Sequence, residues 1–227
     1  MEKKYKLTDE TINLNGVTLY RIEAIKDFGE IKKGNKGGFI ASENNLAHEG
    51  NAWVSDNARV YGDACVFDNA QVYGNAFVSG YAQVYGNAFV YGNAFVSGYA
   101  QVCGYAWVSD NARVYGDANV CDDSSVFGNA LVYDNARVYG DALVRGYACV
   151  CGDAEISNKS DYIVFQNWWS SGRYFTWTRS NNMWSVGCFY GTGEELIKKA
   201  YKDSELSGRE YERIVKYVEE IRKDNGK

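Results

Sequence analysis

Proline is absent from the 227 residues, histidine occurs once and methionine twice. Each scarcity excludes something. Without proline, and with only 24 glycines, the chain cannot be a collagen. One histidine cannot furnish a three-histidine zinc centre. No run approaches the roughly 20 apolar residues of a membrane helix. The longest uncharged stretch, which includes Ala70 to Val108, cycles through Gly-Asn-Ala-Phe-Val with polar turns. What is present points to a folded chain, because 46% hydrophobic and 15% aromatic residues are too many for disorder. The start, Met1-Glu2-Lys3-Lys4-Tyr5-Lys6, is basic but carries no apolar signal core, so the expectation is a cytoplasmic protein with six cysteine thiols and no membrane partner.

Charge is uneven along the chain. Residues 51–156 carry 4 basic and 11 acidic side chains, against 8 and 8 before them and 12 and 10 after. An acidic middle segment repels phosphates, so no direct nucleic-acid partner is expected.

That middle segment is a repeat of period six. Eighteen consecutive hexads read Gly/Asp, Asn/Asp/Tyr, Ala, any residue, Val, then usually Tyr, Ser or Phe, with Ala and Val each kept in 17 of 18. A longer period lies on top. Tyr73–Val84 recurs letter for letter as Tyr91–Val102, and Ala52–Ala64 recurs as Ala106–Ala118, displacements of 18 and 54 residues. Copies displaced by three hexads stack in a three-sided coil of 18 residues, so the pattern predicts a triangular parallel β-solenoid of about six coils. Valine supplies one inward β-branched side chain per side, alanine fits the corner, and Gly or Asp followed by Asn or Asp turns the chain. One buried valine returns about 1.5–3 kcal/mol, less than the backbone entropy of its hexad at about 1–2 kcal/mol per residue. Coils must therefore stack to be stable.

The hexads, Val60-Tyr61-Gly62-Asp63-Ala64 and its sisters, resemble the hexapeptide-repeat left-handed β-helix superfamily. The resemblance implies the left hand. The lead-in Gly37-Gly38-Phe39-Ile40-Ala41-Ser42-Glu43-Asn44-Asn45-Leu46 and the ending Val186-Gly187-Cys188-Phe189-Tyr190-Gly191-Thr192 look like uncharacterised bacterial and phage proteins that carry this repeat. No chemistry is implied by that group.

Three segments result: an N-terminal β-hairpin cap over 1–38, the solenoid over 39–156, and a C-terminal α+β domain over 157–227. The hairpin turns at Asn15-Gly16. Extending the register backward puts Ile40 and Leu46 in alanine slots and Ser42 and His48 in inward valine slots. After Ile156 the pattern predicts three strands, the last running from Trp184 through Phe189, then two helices opening at the capping boxes Thr192-x-x-Glu195 and Ser207-x-x-Glu210. The second helix shows an apolar stripe of Ile214, Tyr217, Val218 and Ile221.

Enzymes of the superfamily are mostly acyltransferases that use a histidine as general base, so an acyltransferase with an inter-subunit site near His48 is the alternative reading. No insertion leaves the eighteen hexads to wall a cofactor cleft, and no cofactor or metal is expected. Cys103 and Cys121 should stack on adjacent coils.

The leading reading rests on the outward columns. Two are apolar, one holding Trp53, Phe89 and Trp107 and the other Arg59, Phe77, Phe95 and Arg113; the third is polar. With the acidic turns at Asp56, Asp63, Asp110 and Asp117, and the pair Trp168-Trp169, they are the candidate binding residues. The predicted function is a non-enzymatic protein-binding or scaffold protein that self-associates as a dimer or trimer. A host protein is a further candidate partner, through inhibition or nucleic-acid mimicry of a phage type.

Overall fold

The structure, a computed structural model, describes residues 2–224. The chain divides into two compact units, Met1–Lys159 and Ser160–Lys227.

The first unit is a three-sided parallel β-solenoid. Each side is a ladder of two-residue strands, and the partners are the 18-residue neighbours that the repeat predicts, such as Phe89 with Trp107 and Phe95 with Arg113. Valine slots are fully buried, and alanine slots are at most 1% exposed. All eighteen first turn residues, glycine or aspartate, hold φ between 55° and 74°. That left-handed conformation turns each corner and explains why only Gly and Asp occupy the slot. Amides at three points of each side donate to the next coil, as in Phe95 N to Ala112 O (2.9 Å), Ser97 N to Val114 O (2.9 Å) and Tyr99 N to Gly116 O (2.8 Å). Proline, lacking the donor, has little place in such a stack.

The N-terminal hairpin, β1 (Tyr5–Leu14) and β2 (Val17–Ala24), turns at Asn15 (φ 49°) and Gly16 (φ 88°). It continues the solenoid. β3 (Lys36–Ile40) pairs antiparallel with β2 and parallel with Arg59-Val60, giving one nine-stranded sheet with seven solenoid rungs, one more than the six expected coils. Ile40 stands over Val60 and Leu46 over Val66, both fully buried. They occupy the valine slots, so the expected inward position of Ser42 and His48 is corrected. From Leu46 to Val54 the chain takes eight residues where the repeat takes six, and His48 lies in that longer loop. Asn45 closes the adjoining ladder, its Nδ2 donating to Gly62 O (2.9 Å) and Ala64 O (2.8 Å).

In the second unit Tyr162–Gln166, Tyr174–Thr178, Met183–Val186 and Phe189–Gly191 form a four-stranded antiparallel sheet. Three strands were expected; Gly187, at φ 59°, breaks the third into a hairpin. α1 (Gly193–Asp203) opens at the Thr192–Glu195 capping box as expected. α2 (Glu205–Asp224) opens earlier than Ser207, because Ser204 Oγ accepts from Ser207 N (3.1 Å) and caps the helix. Its buried stripe is Tyr211, Val215 and Val218, packed with Phe175, Trp177 and Trp184, while Tyr217 is exposed.

Candidate binding surfaces of the solenoid

The corners are built from two kinds of acidic residue. Asp56, Asp68, Asp110, Asp122 and Asp134 fill first turn slots, and each carboxylate accepts from the glycine amide one coil on, at 2.9–3.2 Å. Asp56 and Asp110 thus join coils as well as carry charge. Asp63 and Asp117, in second turn slots, are exposed. The same slot elsewhere holds asparagine ladders, Asn75 to Asn93 to Asn111 to Asn129, at 3.2–3.4 Å.

Aromatic rings stack at the corners with the coil repeat. Tyr73–Tyr91, Phe67–Tyr85 and Tyr115–Tyr133 have centroids 4.9 Å apart and planes within 4°. Tyr81 and Tyr99 stack likewise at 4.8 Å, although 52% and 60% exposed. Burial raises the phenol pKa of Tyr73 and Tyr115. The candidate residues read from the sequence omit these ladders. Their signal is aromatic residues 18 apart in the slot after valine and in the second turn slot.

Of the outward columns, the arginine column alternates charge with rings. Arg21 lies over Phe39 (4.2 Å), Arg59 over Phe77 (4.8 Å) and Arg113 over Phe95 (5.4 Å). Arg59, Phe77 and Phe95 are therefore half-buried, and this is a face of cation–π pairs where an apolar face was expected. On the neighbouring face Trp53 is only 2% exposed. Phe28 meets it edge-on at 5.3 Å and Tyr5 at 6.3 Å, so its assignment to an exposed column is corrected: the N-terminal segment covers it. Phe89 is half-buried. Trp107, identical to Trp53 in local sequence, is 49% exposed.

Beside Trp107 is a notch. Its lining is Tyr91, Trp107, Ser109, Asp110, Ser125 and Phe127. Ser109 interrupts the corner column of Tyr73, Tyr91 and Phe127, and Ser125 follows Trp107 in the face column. Two small residues on successive coils open the recess.

His48 belongs to the N-terminal cover. Its ring stacks on Tyr5 at 4.3 Å, and Nδ1 accepts from the Lys4 amide at 3.3 Å. Nε2 is 3.6 Å from Glu43 Oε2, and burial lowers the imidazole pKa against the pull of that carboxylate. With Nδ1 accepting from that amide, the other ring nitrogen, Nε2, faces the Glu43 carboxylate. Lys4 beside it is 1% exposed, donates through Nζ to Glu49 O and Gly50 O (both 3.2 Å), and has a pKa lowered by burial to about 8.

Cys103 and Cys121 stack as expected but form a disulfide, which corrects the reading of six thiols. In-register coils bring their Cα atoms to 4.6 Å, within disulfide reach. Among the described residues no group of three or more His, Cys, Asp or Glu is placed to hold a metal ion. In the second unit Trp168 is 73% exposed, whereas Trp169 packs on Tyr211 at 5.0 Å.

No helix among the described residues is long and apolar enough to cross a membrane. A search of curated proteins returns no match. The chain is similar to the YdcK β-solenoid repeat family, whose model matches residues 70–86, 82–98, 88–104 and 132–146, all within the coils. Repeat sequence and coiled structure agree that this is a β-solenoid repeat protein.

Proposed function

We propose that this chain is a non-enzymatic protein-binding scaffold that presents a rigid, acidic β-solenoid to a second copy of itself and to a further protein partner. One observation carries the reading: Tyr81, Tyr99, Tyr105 and Trp107 stand 49–60% exposed on a stack whose backbone is already committed to ladders. Tyr and Trp on rigid elements bury large area at low entropic cost and dominate interfaces. The six-residue repeat supports placing the chain among left-handed hexapeptide β-helices, and the lead-in and ending segments support kinship with bacterial and phage members. Exposed Asp63 and Asp117 favour a basic partner.

Mass measurement in solution tests the self-association. A species of two or three 25.4 kDa chains is expected, dissociating when Tyr81 and Tyr99 are both changed to Ser. A monomer at all accessible concentrations would sink that part of the proposal.

A further inference from the structure

We infer that the notch beside Trp107 is a recognition slot for an arginine side chain of a partner polypeptide. The inference deepens the protein-binding reading above and rests on it.

The corner ladder defines the slot. Where successive coils each supply a ring, as at Tyr73 and Tyr91, the rings stack 4.9 Å apart and 2° from parallel. Ser109 removes one rung, and Phe127 resumes the column on the next coil. Tyr91 and Phe127 are then two coils, about 9.6 Å, apart along the stack, with Ser109, only 6% exposed, as the floor of the notch between them. Trp107 stands edge-on to Tyr91 at 6.3 Å and 75°, forming a third aromatic wall.

Charge selects among flat groups. Asp110 is on the rim, and its Oδ2 accepts from Gly128 N at 3.1 Å, which fixes the carboxylate there. The surrounding 51–156 segment carries 11 acidic against 4 basic side chains, a field that draws cations. A guanidinium is flat, cationic and built to stack on rings while its edge meets a carboxylate. The chain already uses this fit: the guanidinium of Arg59 occupies the rung beside Phe77 at 4.8 Å. A lysine ammonium, compact and strongly hydrated, has no flat face to insert.

The same local sequence is covered in one copy and accessible in the other. Residues 52–64 and 106–118 are identical, yet the first copy has Trp53 covered by Phe28 and Tyr5. The second copy has no such cover among the described residues, and Trp107 is 49% exposed.

The test titrates the full chain with acetyl-Gly-Arg-Gly-amide and with its lysine counterpart, following backbone and indole N–H resonances. Saturable shifts centred on Trp107, Ser109 and Asp110 are expected, with the arginine peptide about threefold or more tighter than the lysine one. Ser109→Tyr should complete the ring column and abolish the shifts while leaving the melting temperature equal or higher. Asp110→Asn, which keeps the Gly128 bond and tolerates positive φ, should weaken binding about two- to fivefold. Equal binding of the two peptides, unchanged binding in Ser109→Tyr, or shifts centred elsewhere would overturn the slot. If the wild type fails to bind arginine yet still self-associates, the slot is rejected and the scaffold reading stands; if it binds arginine as a monomer, the slot stands and self-association falls.

Discussion

The solenoid spreads its core over inward slots that recur in every hexad, valine in 17 of eighteen, each touching the same kind of neighbour one coil away. The C-terminal unit gathers its core into one cluster in which Phe175, Trp177, Trp184 and Tyr211 meet the helical Leu196, Val215 and Val218. Periodic burial shares stability among equivalent small contributions, whereas aperiodic burial makes a few large side chains indispensable. Their outer surfaces differ for the same reason. A repeat places identical side chains above one another, so solvent-facing asparagines, rings and guanidiniums become ladders; in the second unit Trp168 stands exposed and meets Trp169 edge-on.

The largest expected effects would break this contrast. Trp177→Ala should cost about 3–5 kcal/mol and abolish the aromatic circular dichroism of the second unit, leaving the β signal of the coils. Val96→Ala, in the middle of the stack, should cost about 2 kcal/mol and melt without a new intermediate. Equal costs measured by urea unfolding would contradict the difference drawn between the two cores.

A smaller effect separates the two kinds of corner aspartate. Asp122→Gly keeps the positive φ but loses the carboxylate acceptor for Gly140 N, and should cost about 1 kcal/mol. Asp117→Ala should change stability by less than about 0.5 kcal/mol, since it is an exposed second-slot residue. Reversal of that order in thermal melts would remove the structural role assigned to first-slot aspartates.

The last prediction concerns the N-terminal cover of the solenoid. Lys4 has a folded pKa of about 8 against 10.5 for the free side chain, so between those values the native state binds fewer protons than the unfolded one. Below about pH 8 both states are charged and the burial penalty is constant; stability then rises as pH climbs towards 10.5. Lys4→Met should flatten that rise in the urea midpoint, and an equal slope in both proteins would exclude Lys4 as its source.

Most of the solenoid is legible in the sequence, because the partner of each residue is 18 positions away and recurs. Valine burial, turn positions, the Cys103–Cys121 stacking and the Asn15-Gly16 hairpin all follow from local pattern. Register at the start of the stack does not, since the two additional residues before Val54 shift Ile40 and Leu46 into inward slots that backward extrapolation assigns to Ser42 and His48. The start of the second helix, at Glu205, precedes the sequence expectation because Ser204 competes with Ser207 for the same capping role.

The candidate surface divides similarly. Sequence alone determines which residues share a column, that the coils are acidic, and that Ser109 falls where neighbouring coils carry rings. Tertiary structure alone decides which members stay accessible: Trp53 and Trp107 have the same neighbours in sequence, and the cover laid by the N-terminal segment, Tyr5 and Phe28 included, makes one buried and the other exposed. Repetition encodes contacts between equivalent positions. Contacts between the repeat and the aperiodic chain before it, such as Phe28 on Trp53, follow no period and arise only when the N-terminal segment folds onto the first coil.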